Sequence, residues 1–326
     1  MKHVTINHAA NATGLFDVHR FKERTKDERT AAWLAYRTKG VGGSDMSTIL
    51  GINPYATPYD LWLEKTGRTE PEDISDRWAV ERGNALEDVL RRRFRRLHPE
   101  WKVIDGTDVS LVSREHPVMH ASLDGFIYDS QHDEWGVLEI KTASAHRGRT
   151  DWHDADDNLI APPYYAAQVT HYLAVTGFSF AVFYADLGEA EPVEVRVERD
   201  DEDCEAVIKA AEDFWGYVER GEMPQLTGSA DVLKAYPDDD GTMEQVADLE
   251  FDRLCALYRA HSDAAAAEKK AIASIRDQIA PLIADRKGLI SADWKATYAT
   301  QHRAEHVVKE SSTRVLRVSK VKTKED

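Results

Sequence analysis

Apolar residues recur at strand-like spacing in four segments of the first half of the chain. These segments are residues 101–104, 110–112, 125–128 and 137–141. Turn-forming residues separate them, which favours short strands over helices. In the last segment, alternation directs Leu138 and Ile140 into the core and places Glu139 and Lys141 together on the opposite face. The pattern predicts a meander in which one edge of a sheet presents an acid and a base.

Helical periodicity and capping residues predict helices before and after these strands. The predicted helices cover residues 27–37, 58–66, 75–97 and 163–176, and another begins at the acidic run 200–203. Thr57, Pro58 and Asp60 form a capping-box-like start, and Gly177 stops the helix that opens at Pro163. Two further strands are predicted at residues 178–185 and 193–197.

The length of 326 residues exceeds what one core usually fills, so we expect a main domain and an appendage. The main domain is predicted at residues 1–225, followed by a linker at 226–242 and a helical extension at 243–326. The extension begins with a long amphipathic helix that Pro281 interrupts or kinks. Short terminal strands are predicted near residues 294–298 and 314–318.

The charge balance excludes one class of DNA-binding protein. The formal net charge is -16, whereas proteins that coat DNA nonspecifically rely on many Lys and Arg contacts that release counterions. A DNA enzyme remains compatible with this charge if local basic patches confine phosphate binding to a channel. The arginine-rich run at residues 91–96 either tracks a DNA backbone or forms a solvated helix face.

Cysteine content and hydropathy indicate the compartment. Cys204 and Cys255 are too few for a disulfide framework or an iron–sulfur cluster, which fits a reducing cytosol. No apolar run approaches about twenty residues, and the N-terminus lacks the hydrophobic stretch of a secretory signal. We therefore expect a soluble, cytoplasmic protein with no membrane partner.

Carboxylates and a lysine at the ends of the predicted strands indicate metal-dependent phosphodiester cleavage. Asp124 stands beside Gly125, which lets the backbone turn or approach a ligand before the strand resumes. Hard divalent cations prefer carboxylate oxygens such as those of Asp124 and Glu139. The alternative interpretation is an ordinary exposed strand, on which Glu139 and Lys141 are a commonplace pair.

Two predicted helices add polar residues to this set. Glu87 shares a face with the apolar Leu90 and Phe94, where a carboxylate costs free energy unless it is paired or bound to metal. A salt bridge to Arg91, four residues later, is the alternative. Gln168 and Tyr172 share one face of the helix at residues 163–176, a pair that by itself more often packs or caps than catalyses.

Together these residues resemble the lambda exonuclease and YqaJ viral recombinase family of the PD-(D/E)XK nuclease superfamily. The motifs at residues 83–87, 122–125, 139–141 and 168–172 follow the family's order at similar spacing. The likeness extends to residues 36–55 and covers about residues 30–225, with a less specific match in the tail at residues 311–317. Leu123, before the acid, departs from the proline in the superfamily's name but carries no chemistry.

The resemblance implies an α/β, restriction-endonuclease-like core with a central mixed sheet flanked by helices. It also implies two Mg²⁺ ions per active site, for which Mn²⁺ can substitute. Asp124, Glu139 and the main-chain carbonyl of Ile140 would bind metal, with Glu87 helping through the second ion or its water. Lys141 would orient the attacking water or offset charge on the phosphate. Gln168 would then position Lys141 or the water, and Tyr172 would support Gln168.

The resemblance further implies a pocket for a terminal 5′-phosphate. The matching residues are Arg37, Ser44, Ser122 and Arg147. A guanidinium fork and serine hydroxyls suit phosphate oxygens. The glycine-rich residues 40–44 are otherwise interpreted as a flexible turn that interrupts regular structure, and the alignment of Arg147 is open because Arg149 lies close by.

The activity implied by the family is 5′-to-3′ digestion of linear double-stranded DNA. A ring-shaped homo-oligomer encoded by a phage or prophage would leave a 3′ strand for a single-strand annealing protein. Two other interpretations remain open at this point. One is a structure-specific or restriction-like endonuclease, which would cut closed circular DNA, and the other is a noncatalytic DNA-binding recombination scaffold.

Overall fold

A computed structural model describes residues 4–71, 74–188, 191–303 and 313–320. The chain divides into two compact units, Met1–Asp231 and Val232–Asp326. Among the described residues, no helix is both long and apolar enough to cross a membrane.

The first unit combines helices with two sheets. Its helices are α1 (Ile6–Thr13), α2 (Lys26–Arg37), α3 (Gly43–Ile49), α4 (Pro58–Lys65), α5 (Trp78–Leu97), α6 (Ala145–Asp151), α7 (Pro163–Thr176) and α8 (Asp201–Arg220), and α9 (Ser229–Ala235) begins at its end. Its strands are β1 (Phe16–Arg20), β2 (Val41–Gly42), β3 (Trp101–Asp105), β4 (Val109–Ser113), β5 (Met119–Ala121), β6 (Gly125–Asp129), β7 (Glu134–Thr142), β8 (Phe180–Asp186) and β9 (Val193–Glu198).

The larger sheet has the strand order β3-β6-β7-β8-β9, with β7 at its centre. Strands β7 and β8 are parallel and the other neighbours are antiparallel, so the sheet is mixed. Leu138 and Ile140 pack with Leu90 and Phe94 of α5 on one face. The side chain of Glu139 meets α7 on the other face. The predicted fold class, a mixed sheet flanked by helices, is therefore confirmed.

Two predictions about these strands are wrong. The four segments do not form one meander, because β4 pairs with β1 and β5 in a second sheet of order β1-β4-β5-β2. The acid and base of β7 also lie on a central strand rather than at a sheet edge, and Glu139 is only 3% exposed. A short-range alternation pattern carries no information about which strand becomes the neighbour.

The glycine-rich segment after α2 is regular rather than irregular. Strand β2 leads directly into α3, and the Asp45 carboxylate accepts the Gly42 N–H at 2.9 Å. A Cβ atom on Gly43 would lie 2.4 Å from the Tyr172 ring. Glycine at position 43 thus permits close packing of α3 on α7, and does not mark a flexible turn.

The second unit contains the helix α10 (Leu249–Ile283) and the antiparallel hairpin of β10 (Gly288–Ile290) and β11 (Lys295–Thr297). Pro281 lies inside the last turn of α10. The strand expected near residues 314–318 is absent from the described segment 313–320, whereas β11 matches the other expected strand. Ser311 and Ser312 of the tail motif lie outside the described residues. Helix α9 occupies part of the stretch predicted as a linker.

Candidate active site

Asp124 lies where the chain enters β6, directly beside the middle of β7. Its Oδ2 accepts a hydrogen bond from the main-chain N–H of Ile140 at 2.7 Å. This contact follows from the register of the sheet, which pairs Gly125 with Leu138. The pairing of β6 with β7 therefore brings together the two acids that the sequence singled out, Asp124 and Glu139.

Glu139 is the centre of a closed polar network. Its Oε1 accepts hydrogen bonds from Lys141 Nζ and Gln168 Nε2, each at 2.7 Å. Lys141 Nζ also donates to Gln168 Oε1 at 3.0 Å, and Gln168 Nε2 donates to the Tyr172 hydroxyl at 2.8 Å. Lys141 Nζ also lies over the Tyr165 ring, 4.5 Å from its centre. Four predicted site residues are thus in direct contact, and Tyr165 is a neighbour that sequence reasoning missed.

Glu87 on α5 approaches the same place from the other face of the sheet. Its Oε1 accepts a hydrogen bond from Arg91 at 2.9 Å, so the salt bridge considered from the sequence does form. Arg91 is 3% exposed and also contacts Asp105. Glu87 nevertheless lines a small cavity together with Asp124 and Glu139. Glu87 therefore forms the salt bridge to Arg91 and also lies at the candidate site.

Ionisation of the three carboxylates is disfavoured by burial and by their mutual repulsion more than nearby Lys and Arg favour it. Burial and then the Asp124 carboxylate raise the pKa of Glu139 to about 8, and the same two causes raise the pKa of Glu87 to about 7. Burial also raises the pKa of Asp124. For Lys141, burial opposes ionisation but Glu139 and Asp124 outweigh it, so its pKa is raised. A bound cation would relieve the repulsion between the acids.

The oxygen donor atoms of Asp124, Glu139 and Glu87 are of the type that hard divalent cations prefer. The described residues contain no cluster of three or more His, Cys, Asp or Glu side chains with metal-binding geometry. Asp124 Oδ2 and Glu139 Oε1 are engaged in hydrogen bonds. Glu139 Oε2, in contrast, is buried without a hydrogen-bond partner among the described residues. Such an oxygen is costly to bury unless a ligand satisfies it.

A second cavity, of ≈ 980 Å³, adjoins the acids and holds three of the four residues expected to bind a 5′-phosphate. Arg37 donates to Ser44 Oγ at 2.8 Å, and Trp33 Nε1 donates to Ser122 Oγ at 3.1 Å. Arg147 is not among the lining residues. It lies on α6, where its guanidinium contacts Asp151 at 3.3 Å and the Tyr55 hydroxyl at 3.1 Å.

A buried ion pair between Lys65 and Asp45, next to Arg37, was not predicted from the sequence. Lys65 Nζ lies 2.7 Å from Asp45 Oδ2, and their side chains are 5% and 7% exposed. Asp45 also contacts the Arg37 guanidinium at 3.3 Å, while Lys65 donates to the Arg37 carbonyl at 2.7 Å. Burial would raise the pKa of Asp45, but Lys65 and Arg37 outweigh it and lower it. No sequence signal links residues 45 and 65, because only the tertiary fold brings α3 and α4 together.

Three of the five arginines in the run at residues 91–96 on α5 contact acids. Arg91 is buried and contacts Glu87 and Asp105, and Arg92 lies 3.2 Å from Asp88. Arg93 contacts Glu191 and donates to the Tyr184 hydroxyl. Of the two interpretations made from the sequence, tracking of a DNA backbone therefore gains no support from these three side chains.

Comparisons with known proteins agree with the resemblance drawn from the sequence. Residues 32–179 match the family described as the YqaJ-like viral recombinase domain. The uncharacterized protein YqaJ of Bacillus subtilis is 36% identical over 211 residues, which are 64% of this chain and 61% of that protein. The chain thus spans about three fifths of this relative.

Two solved structures of exonucleases are also similar. An alkaline exonuclease from Laribacter hongkongensis is 21% identical, with a TM-score of 0.43 over 59% of this chain and 93% of its own. A phage related exonuclease from Haemophilus somnus is 13% identical, with a TM-score of 0.37 over 56% of this chain and 96% of its own.

Proposed function

We propose, on the premise that residues 32–179 form a YqaJ-like viral recombinase domain, that this chain is a metal-dependent deoxyribonuclease acting in recombination. One observation carries the proposal. Buried Glu139 contacts Lys141 and Gln168 through one oxygen, and its other oxygen has no hydrogen-bond partner among the described residues. Asp124 lines the same cavity as Glu139. A noncatalytic scaffold has no need for such an arrangement, which is costly to bury.

Asp124, Glu139 and the Ile140 carbonyl would hold Mg²⁺, with Glu87 near the second ion or its water. When bound, the metal ions supply Lewis acidity and lower the pKa of a water molecule. The protein's own contribution begins with Lys141. Its ammonium group is held in position by hydrogen bonds to Glu139 and Gln168. From there it would orient the attacking water or offset charge developing on the phosphate. Gln168 acts through Lys141, and Tyr172 holds Gln168.

We further propose that the larger cavity receives a 5′-terminal phosphate. Arg37 keeps 35% of its side chain exposed and already meets Ser44, so a phosphate could be gripped by both groups. Ser122 contributes a hydroxyl two residues before Asp124, which would link end recognition to the metal site. Arg147 would have to break its contacts with Asp151 and Tyr55 to join these three residues.

The decisive assay uses end-labelled linear DNA with phosphorylated or hydroxyl 5′ ends. Cleavage should require Mg²⁺ and stop in Glu139→Ala, whereas Glu134→Ala on the same strand serves as the matched control. Lys141→Ala should lose turnover yet still bind metal in calorimetric titration with Mn²⁺. Near-normal cleavage by Lys141→Ala would contradict its assigned role.

End recognition has a separate readout. Arg37→Ala should lose the preference for phosphorylated over hydroxyl 5′ ends, while the exposed Arg20→Ala should keep it. Cleavage of covalently closed circular DNA would favour the endonuclease alternative. Absence of Mg²⁺-dependent cleavage on every DNA form would favour the noncatalytic scaffold. The 5′-to-3′ polarity, a ring-shaped homo-oligomer and a single-strand annealing partner are proposed from the family alone.

A further inference from the structure

The helix α10 presents a narrow stripe of mostly apolar residues along its length, in which His261 and Glu268 are the polar members. It has 35 residues and so is about 52 Å long. Steps of three and four residues alternate along the stripe without a break. Its positions are Phe251, Leu254, Tyr258, His261, Ala265, Glu268, Ile272, Ile275, Ile279 and Leu282. A strict repeat of this kind is the spacing at which two helices supercoil around each other.

The stripe is uncovered within the second unit. Phe251 is 54% exposed, Ile272 65% and Leu282 66%, although all three are large apolar side chains. Ile283, next to the end of the stripe, is only 2% exposed, so this end of the helix has a buried side and an open side. Large apolar side chains exposed along the whole helix are costly to leave in water. The alternating three- and four-residue spacing is the one that packs against another helix.

We propose that α10 pairs with α10 of a second copy of this chain as an antiparallel coiled coil. Such a pair has a two-fold axis and uses the same surface of both copies. With the axis between residues 266 and 267, Phe251 would meet Leu282 of the second copy. Leu254 would meet its Ile279. The bulky end of each stripe therefore packs against the isoleucine-rich end of the other.

The centre of the helix favours the same orientation. Residues 264–267 are four consecutive alanines, which let two helices approach closely where they cross the axis. Antiparallel pairing sets Glu268 against Ala265 and His261 against Ile272 of the second copy. Parallel pairing would instead stack Glu268 on Glu268, and like charges at the core of a coiled coil are unfavourable.

Charges at the two ends are complementary in this orientation. The start of α10 is acidic, with Asp248 as its cap and Glu250 and Asp252 in its first turn. After its last residue, Ile283, the chain continues with Ala284, Asp285, Arg286 and Lys287, which together carry a net positive charge. Antiparallel pairing brings the acidic start of one helix beside the basic end of the other. The helix dipoles also oppose each other favourably.

Sedimentation equilibrium of the full chain at micromolar concentration, without DNA, tests the pairing. Ile275→Glu should halve the mass of the assembly, because it places one buried charge from each copy between the paired α10 helices. This result is expected whatever contacts the first unit makes. Ala256→Glu, on the outward side of the same helix, should leave the mass unchanged. A monomeric wild-type chain, or a mass that Ile275→Glu does not alter, would overturn the proposal.

Disulfide trapping tests the orientation. In a Cys255→Ser background, Leu254→Cys and Ile279→Cys proteins should form disulfide-linked dimers when mixed, and neither should do so alone. Efficient linking of Leu254→Cys to itself would instead show parallel pairing and overturn the antiparallel arrangement. Because these readouts are mass and crosslinking, they are independent of whether the proposed nuclease activity is correct.

Discussion

Replacing Lys65 with methionine should destabilise the first unit by isolating a buried charge. Asp45 is 6% exposed and would lose its contact with Lys65 Nζ at 2.7 Å. Removing one member of a buried ion pair typically costs about 3–5 kcal/mol. In the variant, Asp45 keeps its contacts with the Gly42 N–H and the Arg37 guanidinium. We therefore expect a loss near the lower end of this range, about 3 kcal/mol. For a unit of this size that lowers the melting temperature by about 6–12 °C.

Urea and thermal unfolding of a matched set of variants would check this. The double variant Asp45→Asn/Lys65→Met removes both charges with little change in shape, so it should regain more than half of the loss. Lys209→Met removes an exposed lysine paired with Asp213 and should leave stability close to wild type. If Lys65→Met unfolds within about 1 kcal/mol of wild type, or if the double variant is the less stable of the two, the charge argument fails.

Three further outcomes are expected. Gly43→Ala should lower turnover and stability by forcing the Tyr172 ring to move, whereas Gly42→Ala, whose Cβ would meet its nearest atom at 3.6 Å, should be tolerated in both assays. Burial lowers the pKa of His171 in the folded chain to about 4. As the pH falls below about 6.5, this histidine is therefore protonated in the unfolded chain but not in the folded one. The free energy of unfolding should drop by about 2 kcal/mol at pH 5 through this residue, and His171→Gln should lessen the drop measured in urea. Mg²⁺ should raise the melting temperature of wild type but not of Glu139→Ala, and chelation should reverse the rise.

Local chemistry made several elements predictable. Thr57 caps α4 by accepting from Asp60 N–H, and Pro58 occupies the first turn, as the sequence indicated. Helix α7 begins at Pro163 and is followed by Gly177 in the left-handed region, with φ of 70°. These features depend on neighbours within about four residues, so the sequence alone contains their cause.

Features that depend on tertiary contacts were not predictable in the same way. Strand β5 has three residues and β2 only two, and each is defined by its partner in the second sheet rather than by its own pattern. The burial of Glu139 also depends on a tertiary contact, because Gln168 of α7 covers its side chain. For Glu139 and Lys141, alternation gave the correct shared face but could not show that the face was buried.

The salt bridge between Glu87 and Arg91 shows why two interpretations of one acid need not exclude each other. Arg91 is held by Asp105 and by Thr107 Oγ1, so its guanidinium is a fixed point rather than a mobile surface charge. It donates to Glu87 Oε1, and the Glu87 side chain is 36% exposed and lines a cavity that Asp124 also lines. Burial nevertheless raises the pKa of Glu87 to about 7, which means that one arginine does not offset the cost of the charge. The bridge therefore orients the acid without offsetting the full cost of its charge, which is compatible with the metal-binding role proposed for Glu87.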